Sequence, residues 1–160
     1  MAIYALKWSD DAGRGNVINP DCAGDLVVNR YELDLSSAPL KGVTLAVGDI
    51  IDLGPIPANT RVVDVVIDSD DLDSNASPTI TFDVGVMSGT VGDTVSARTC
   101  GQEFFDEATV AQAGGVVRMS AKTGFRVDPV QKDVSIGLKI TTAAATQPTS
   151  GKLAVNVIIG

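Results

Sequence analysis

The chain has 160 residues, 44% of them hydrophobic and only 4% aromatic, with a formal net charge of −8. That length and composition fit one globular domain with an aliphatic core that needs no disulfide or metal staple. The acidic balance argues against nucleic acid or anionic membrane as a partner, and no run of ~18 apolar residues is present to form a transmembrane helix.

Taken in chain order, period-2 alternation bounded by turn residues marks the strands. "AIYALKW" (2–8) reads as a first strand, with no basic n-region and so no signal peptide. Residues 9–25 form a long, Gly-rich polar loop, and loops of this length are usually functional. Residues 1–25 are therefore a candidate strand and arm reaching a neighbour. Residues 26–35 read as a strand, with Tyr31, Leu33 and Leu35 on one face and Arg30, Glu32 and Asp34 on the other. A third strand region covers 43–54, with a break expected at Gly48.

In "PIPANT" (55–60), Pro55 and Pro57 fix φ, exclude helix and set a turn. Residues 61–69 leave it as a strand with Val63, Val65 and Ile67 facing in, and 70–78 form an acidic loop. Residues 79–87 read as a strand with Ile80, Phe82, Val84 and Val86 in phase. In 102–115, Phe104, Ala108 and Ala111 follow a helical spacing that stops at Gly114-Gly115, which predicts one short helix or helical turn. "VVRMSA" and "GFRVDPV" read as edge strands, the latter interrupted by Pro129. Residues 132–144 and 152–160 supply two final strands. The sum is all-β: an antiparallel β-sandwich of jelly-roll type over 1–160, with about eight strands and one short helix.

Catalytic chemistry is hard to place. There is no histidine, which removes Ser-His-Asp and Cys-His nucleophile systems and His-based metal sites. Cys22 and Cys100 lie far apart and are expected as free thiols in a chain without a secretory signal. "AGRGN" (12–16) has a glycine pair but no strand feeding a helix around it, so a plain loop is expected. Of the 20 acidic residues, no pair stands out as a glycosidase couple. Asp71, Asp73 and Asn75 match EF-hand positions one, three and five, but Ala76 and Phe82 stand where Gly and Glu belong. A looser calcium site from Asp68, Asp70, Asp71 and Asp73 is the weak metal candidate, set against a solvated loop with Asp-made turns. Tyr4 and Trp8 could stack on a sugar, but they read better as core or interface anchors, and with Arg14 and Asn16 in the arm they are the interface candidates. No cofactor is expected.

"DIIDLGPIPANTRVVDVVIDSDDLD", followed by "PTITFDVGVM" and later "FFDEATVAQAGG", resembles a block in small virion structural proteins of tailed bacteriophages. The likeness spans roughly residues 49 to 115. It implies a small β-sandwich without enzymatic activity, most often a capsid decoration or cement protein. Such a protein is made in the bacterial host cytoplasm. It binds the major capsid protein of its phage at capsomer junctions on the capsid surface, often as a dimer or trimer. A head–tail adaptor or tail component is the alternative within the virion. A carbohydrate-binding module on the same fold is the alternative of a different class.

Overall fold

In the computed structural model, residues 3–5, 26–129 and 131–160 are described, the side chains of 4 and 5 excepted. Among these residues the alternating segments become nine strands. They are β1 (Ile3–Ala5), β2 (Val27–Asp34), β3 (Ile50–Ile56), β4 (Val62–Ser69), β5 (Thr81–Val86), β6 (Phe105–Ala108), β7 (Gly115–Arg118), β8 (Val134–Thr142) and β9 (Lys152–Ile159). They form a five-stranded sheet ordered β1-β3-β8-β5-β6 and a four-stranded sheet ordered β2-β9-β4-β7.

The pairings are nested: β5 with β6, β4 with β7, β3 with β8 and β2 with β9, all antiparallel. Such nesting is one long hairpin rolled up, and it gives the eight-strand jelly roll expected from the sequence. Strand β1 stands outside the nest and is the one parallel pair among the described residues, on the free edge of β3. The inward faces of both sheets close on a shared aliphatic core. Leu33, Val65, Ile67, Val155 and Val157 from one sheet meet Ile51, Leu53, Phe82, Val84, Ile136, Leu138 and Ile140 from the other. Each such buried side chain contributes about 1.5–3 kcal/mol, so the stiff β-branched residues do the work that few aromatics could.

The "LGPIP" stretch proves to be an inter-sheet contact. A Cβ on Gly54 would run into the Tyr31 ring of β2, with its Cδ1 only 2.7 Å away. The Tyr31 hydroxyl donates to the Pro55 carbonyl at 2.7 Å. Pro55 is tolerated inside β3 because, among the described residues, β1 pairs only with Ile50–Asp52 and the Pro55 side of the strand is an edge. The expected turn follows, with Asn59 at a φ of 61°.

Four expectations need correction. Residues 102–115 hold only a helical turn, and the first part of the range is strand. Phe105–Ala108 pair with β5, and only Val110–Gln112 make a 3-10 turn. The open edge of β5 offers hydrogen-bond partners, including the Asp83 side-chain carboxylate, which accepts from the Glu107 N–H at 3.0 Å, and these outweigh a weak helical spacing. Residues 43–49 are not strand but end in a tight turn, where Asp49 Oδ2 accepts from the Ala46 N–H at 3.0 Å and Gly48 has a φ of 89°. Gly124–Arg126 form a second 3-10 turn rather than an edge strand. Finally, Val62 is buried and Val63 is 39% exposed. A bulge between Val62 and Asp64 shifts the β4–β9 register by one residue and swaps the two side chains between faces.

Candidate interaction surface

The outer face of the four-stranded sheet carries the out-phase residues of β2, β9, β4 and β7. Register places Arg30, Asn156, Val66 and Arg118 in one row, and Asp34 beside Lys152. Arg30 grips Asp68 with both terminal nitrogens, at 2.5 and 3.1 Å. Lys152 Nζ reaches Glu32 at 2.6 Å and Asp34 at 3.8 Å, and Arg118 Nε reaches Asp64 at 2.5 Å. The Arg30 hydrogen bond holds the Asp68 carboxyl below its ordinary range. Asp34 is lowered first by the Ser36 hydroxyl and N–H, then by Lys152. Exposed pairs of this kind add little stability. Their effect is to neutralise most of the face from within, leaving few charges free for a partner.

At one end of this sheet the surface turns apolar. Leu26 is 63% exposed, Val28 56%, Val63 39% and Phe125 41%. Leu26, Val28 and Val63 lie where β2 and β4 begin and β9 finishes, and the Phe125 backbone is held beside the start of β4 by Arg61. Val28 is the register partner of Ile158, and Leu26 lies two residues before Val28 on the same face. Arg61 ties the group together, exchanging backbone hydrogen bonds with Gly160 and donating from Nη2 to the Phe125 carbonyl at 3.0 Å. Clustered exposed apolar side chains of this kind mark interaction sites.

The outer face of the other sheet is covered by its own chain. The β5–β6 connection, residues 87–104, folds back across the strands. Its Arg98, 3% exposed, donates to Asp52 Oδ2 at 2.6 Å and to the Ser135 hydroxyl at 3.0 Å. The same guanidinium holds the Ser88 and Asp93 carbonyls at 2.8 and 2.7 Å. Beneath the strap, Gly85 and Gly137 are register partners with no side chain to obstruct it. A Cβ on Gly85 would meet the Gly101 carbonyl oxygen at 2.5 Å, and one on Gly137 would meet Met87 Cγ at 2.6 Å. Cys100 is a free thiol here, pushed up to about 12 by burial.

Of the residues singled out from the sequence, Trp8, Arg14, Asn16 and Cys22 lie outside the described residues, as does the side chain of Tyr4. Tyr4 is the middle residue of β1, opposite Ile51. The four aspartates are spread among different partners. Asp68 sits on β4 with Arg30, Asp70 Oδ2 accepts from the Lys152 N–H at 2.9 Å, and Asp71 Oδ1 accepts from the Asp73 N–H at 2.9 Å. Asp73 is 1% exposed and is a structural hub. Its Oδ2 accepts from the backbone N–H groups of Thr79, Ile80 and Ala145 at 2.7, 3.2 and 2.8 Å, and its Oδ1 from that of Thr146 at 2.8 Å. Burial alone would raise this carboxyl. The four N–H groups overcome it and hold the group well below the carboxylate range. Among the described residues no group of three or more His, Cys, Asp or Glu side chains is placed to hold a metal ion, and no helix is long and apolar enough to cross a membrane.

No protein-family model and no curated protein matches the chain. Solved structures do. A chain from the capsid of Ralstonia phage GP4 is 40% identical, with a TM-score of 0.88 over 99% of this chain and 97% of that one. A chain from the capsid asymmetric unit of cyanophage Pam1 shares the fold at 23% identity and a TM-score of 0.65, over 93% of this chain and 95% of that one. A chain from the acid-stable capsid of Helicobacter pylori bacteriophage KHP30 does so at 12% identity and a TM-score of 0.51, over 84% and 90%. The similarity to the first supports a structural role in the virion, and this chain belongs to the bacteriophage capsid-protein family represented in the capsid of Ralstonia phage GP4.

Proposed function

We propose that the protein is a non-enzymatic capsid decoration protein that binds the major capsid protein at capsomer junctions and reinforces the shell. The reading rests above all on the 40% identity, along nearly the whole of both chains, to a chain of a phage capsid. The surface adds to it. A subunit that tiles a shell by itself needs several large complementary faces. Here one sheet face is ion-paired within itself and the other is covered by the chain's own strap. The apolar corner of Leu26, Val28, Val63 and Phe125 is left as a compact docking point, suited to an accessory protein seated at a joint. The carbohydrate-binding reading needs a strip of exposed aromatic rings. Among the described aromatic side chains, Tyr31 is packed against Gly54 and Phe125 is the exposed one.

The test is stoichiometry in purified particles, measured by mass spectrometry against the major shell protein. A decoration protein is expected at a ratio near that of the shell protein or at a regular fraction of it. A trace ratio would move the chain to a head–tail adaptor or tail component. Absence from particles would remove the virion role.

A further inference from the structure

The place of β1 in the fold carries an inference about how copies of this chain meet. The eight-strand nest is complete without β1, since each of β2 to β9 has its antiparallel partner inside the nest. β1 adds three residues, in parallel, to an edge that the nest leaves open: Ile3 opposite Ile50, Tyr4 opposite Ile51 and Ala5 opposite Asp52.

That edge is a bounded slot. On its far side lie the irregularity between Asp52 and Gly54 and then Pro55, which has no N–H to offer. Among the described residues the pairing on this edge runs over Ile50–Asp52. The slot is apolar at its Ile50 end. Ile50 is on the outward face of its sheet, as register partner of Lys139, yet it is only 1% exposed. An uncovered edge of this kind would be a template for uncontrolled pairing.

The connection to β1 is far longer than the slot requires. Strand β2 packs directly over β3, as the Tyr31–Pro55 hydrogen bond of 2.7 Å shows. With sheets ~10 Å apart and a few residues of strand offset, the end of β1 and the start of β2 lie roughly 25 Å apart. The 21 residues from 6 to 26 could reach about 70 Å when extended.

We propose that β1 is an exchangeable strand: Ile3–Ala5 of one copy occupies the Ile50–Asp52 edge of a second copy, linking molecules by strand addition. The chemistry is backbone pairing plus the Ile3–Ile50 apolar contact, and the length of the connection permits the move without opening the nest. The inference concerns contacts between copies and does not depend on the decoration reading.

The experiment uses the purified chain alone, so its outcome is independent of any shell. Ile3→Cys and Ile50→Cys are combined in a Cys22→Ser, Cys100→Ser background and oxidised. Exchange is expected to give covalent multimers of the 16.5 kDa chain on a non-reducing gel. Cross-linked chains running only as monomers would overturn the proposal. Because Ile50 is buried, a second variant leaves it in place. Tyr4→Pro removes the N–H at the centre of β1 and is expected to lower the sedimenting mass from a multiple of 16.5 kDa to the single chain, with the circular dichroism spectrum unchanged. A wild-type chain that already sediments as a monomer, or a multimer whose mass Tyr4→Pro does not change, overturns it.

Discussion

At the scale of single residues, Asp73 shows how little a local pattern says about a side chain's work. In sequence it sits in an acidic loop where Asp-made turns were set against a loose cation site of Asp68, Asp70, Asp71 and Asp73. Its actual partners come from Thr79 and Ile80 on one side and Ala145 and Thr146 on the other, residues that only the folded chain brings together. Asp73→Asn would turn an N–H₂ group toward backbone N–H donors whichever way the amide is oriented. At neutral pH this is expected to cost about 2–4 kcal/mol, or roughly 10 °C in thermal midpoint, measurable by calorimetry. The folded carboxyl titrates below its unfolded value of about 3.9, so its contribution is complete above that pH and is lost as pH falls through and below it. The gap between wild type and Asp73→Asn should therefore be widest near neutrality and narrow below about pH 4. A constant gap down to pH 2 would mean that the carboxylate charge is not what the four amides hold.

At the scale of elements, strands were legible and their exceptions were not. Leu153, Val155, Val157 and Ile159 alternate in the sequence and are all buried in β9. Val63 was misplaced because a bulge is invisible to period-2 counting until the partner strand is known. The short helix or helical turn expected over 102–115 is confined to one turn for a related reason, since an open sheet edge supplies hydrogen-bond partners that spacing cannot reveal. The strap was the least legible element. Arg98 and Asp52 are 46 residues apart, and Gly85 and Gly137 signal a covered surface only once their register is known. A buried ion pair is a poor source of net stability but costly to break from one side. Arg98→Met would leave the Asp52 carboxylate at 0% exposure deprived of its guanidinium, with an expected loss of about 3–5 kcal/mol in urea unfolding. Proteolysis within residues 88–101 should rise in parallel. Asp52→Asn combined with Arg98→Met should recover much of the lost stability. If the double variant is no better than the single one, the pair does not fix the strap through charge.

At the scale of the whole molecule, the fold class was the most legible feature, because aliphatic strands, scattered Gly and Pro and an absence of βαβ alternation leave few other solutions. The interaction surface was less so. The apolar corner collects Leu26, Val28, Val63 and Phe125 from three separate stretches, and one of them is exposed only through the bulge. The nest makes stability collective, because β9 sits between β2 and β4 and pairs with both, while β4 has β7 on its other side. Removing residues 152–160 is therefore expected to abolish cooperative unfolding altogether, as read by circular dichroism during heating, rather than to trim one strand. A truncated chain that still melts sharply would mean that the other sheet is stable by itself. The same arrangement sets a clock. While a ribosome is still building the chain, the strand that must stand in the middle of one sheet is the latest of the nine to appear. Until then β2 and β4 have no ladder between them, and their core-facing valines and leucines wait in the open. The four-stranded sheet can therefore close only after residue 159 is in place, and long-range pairing of that kind is slow and leaves apolar strands exposed until it is made.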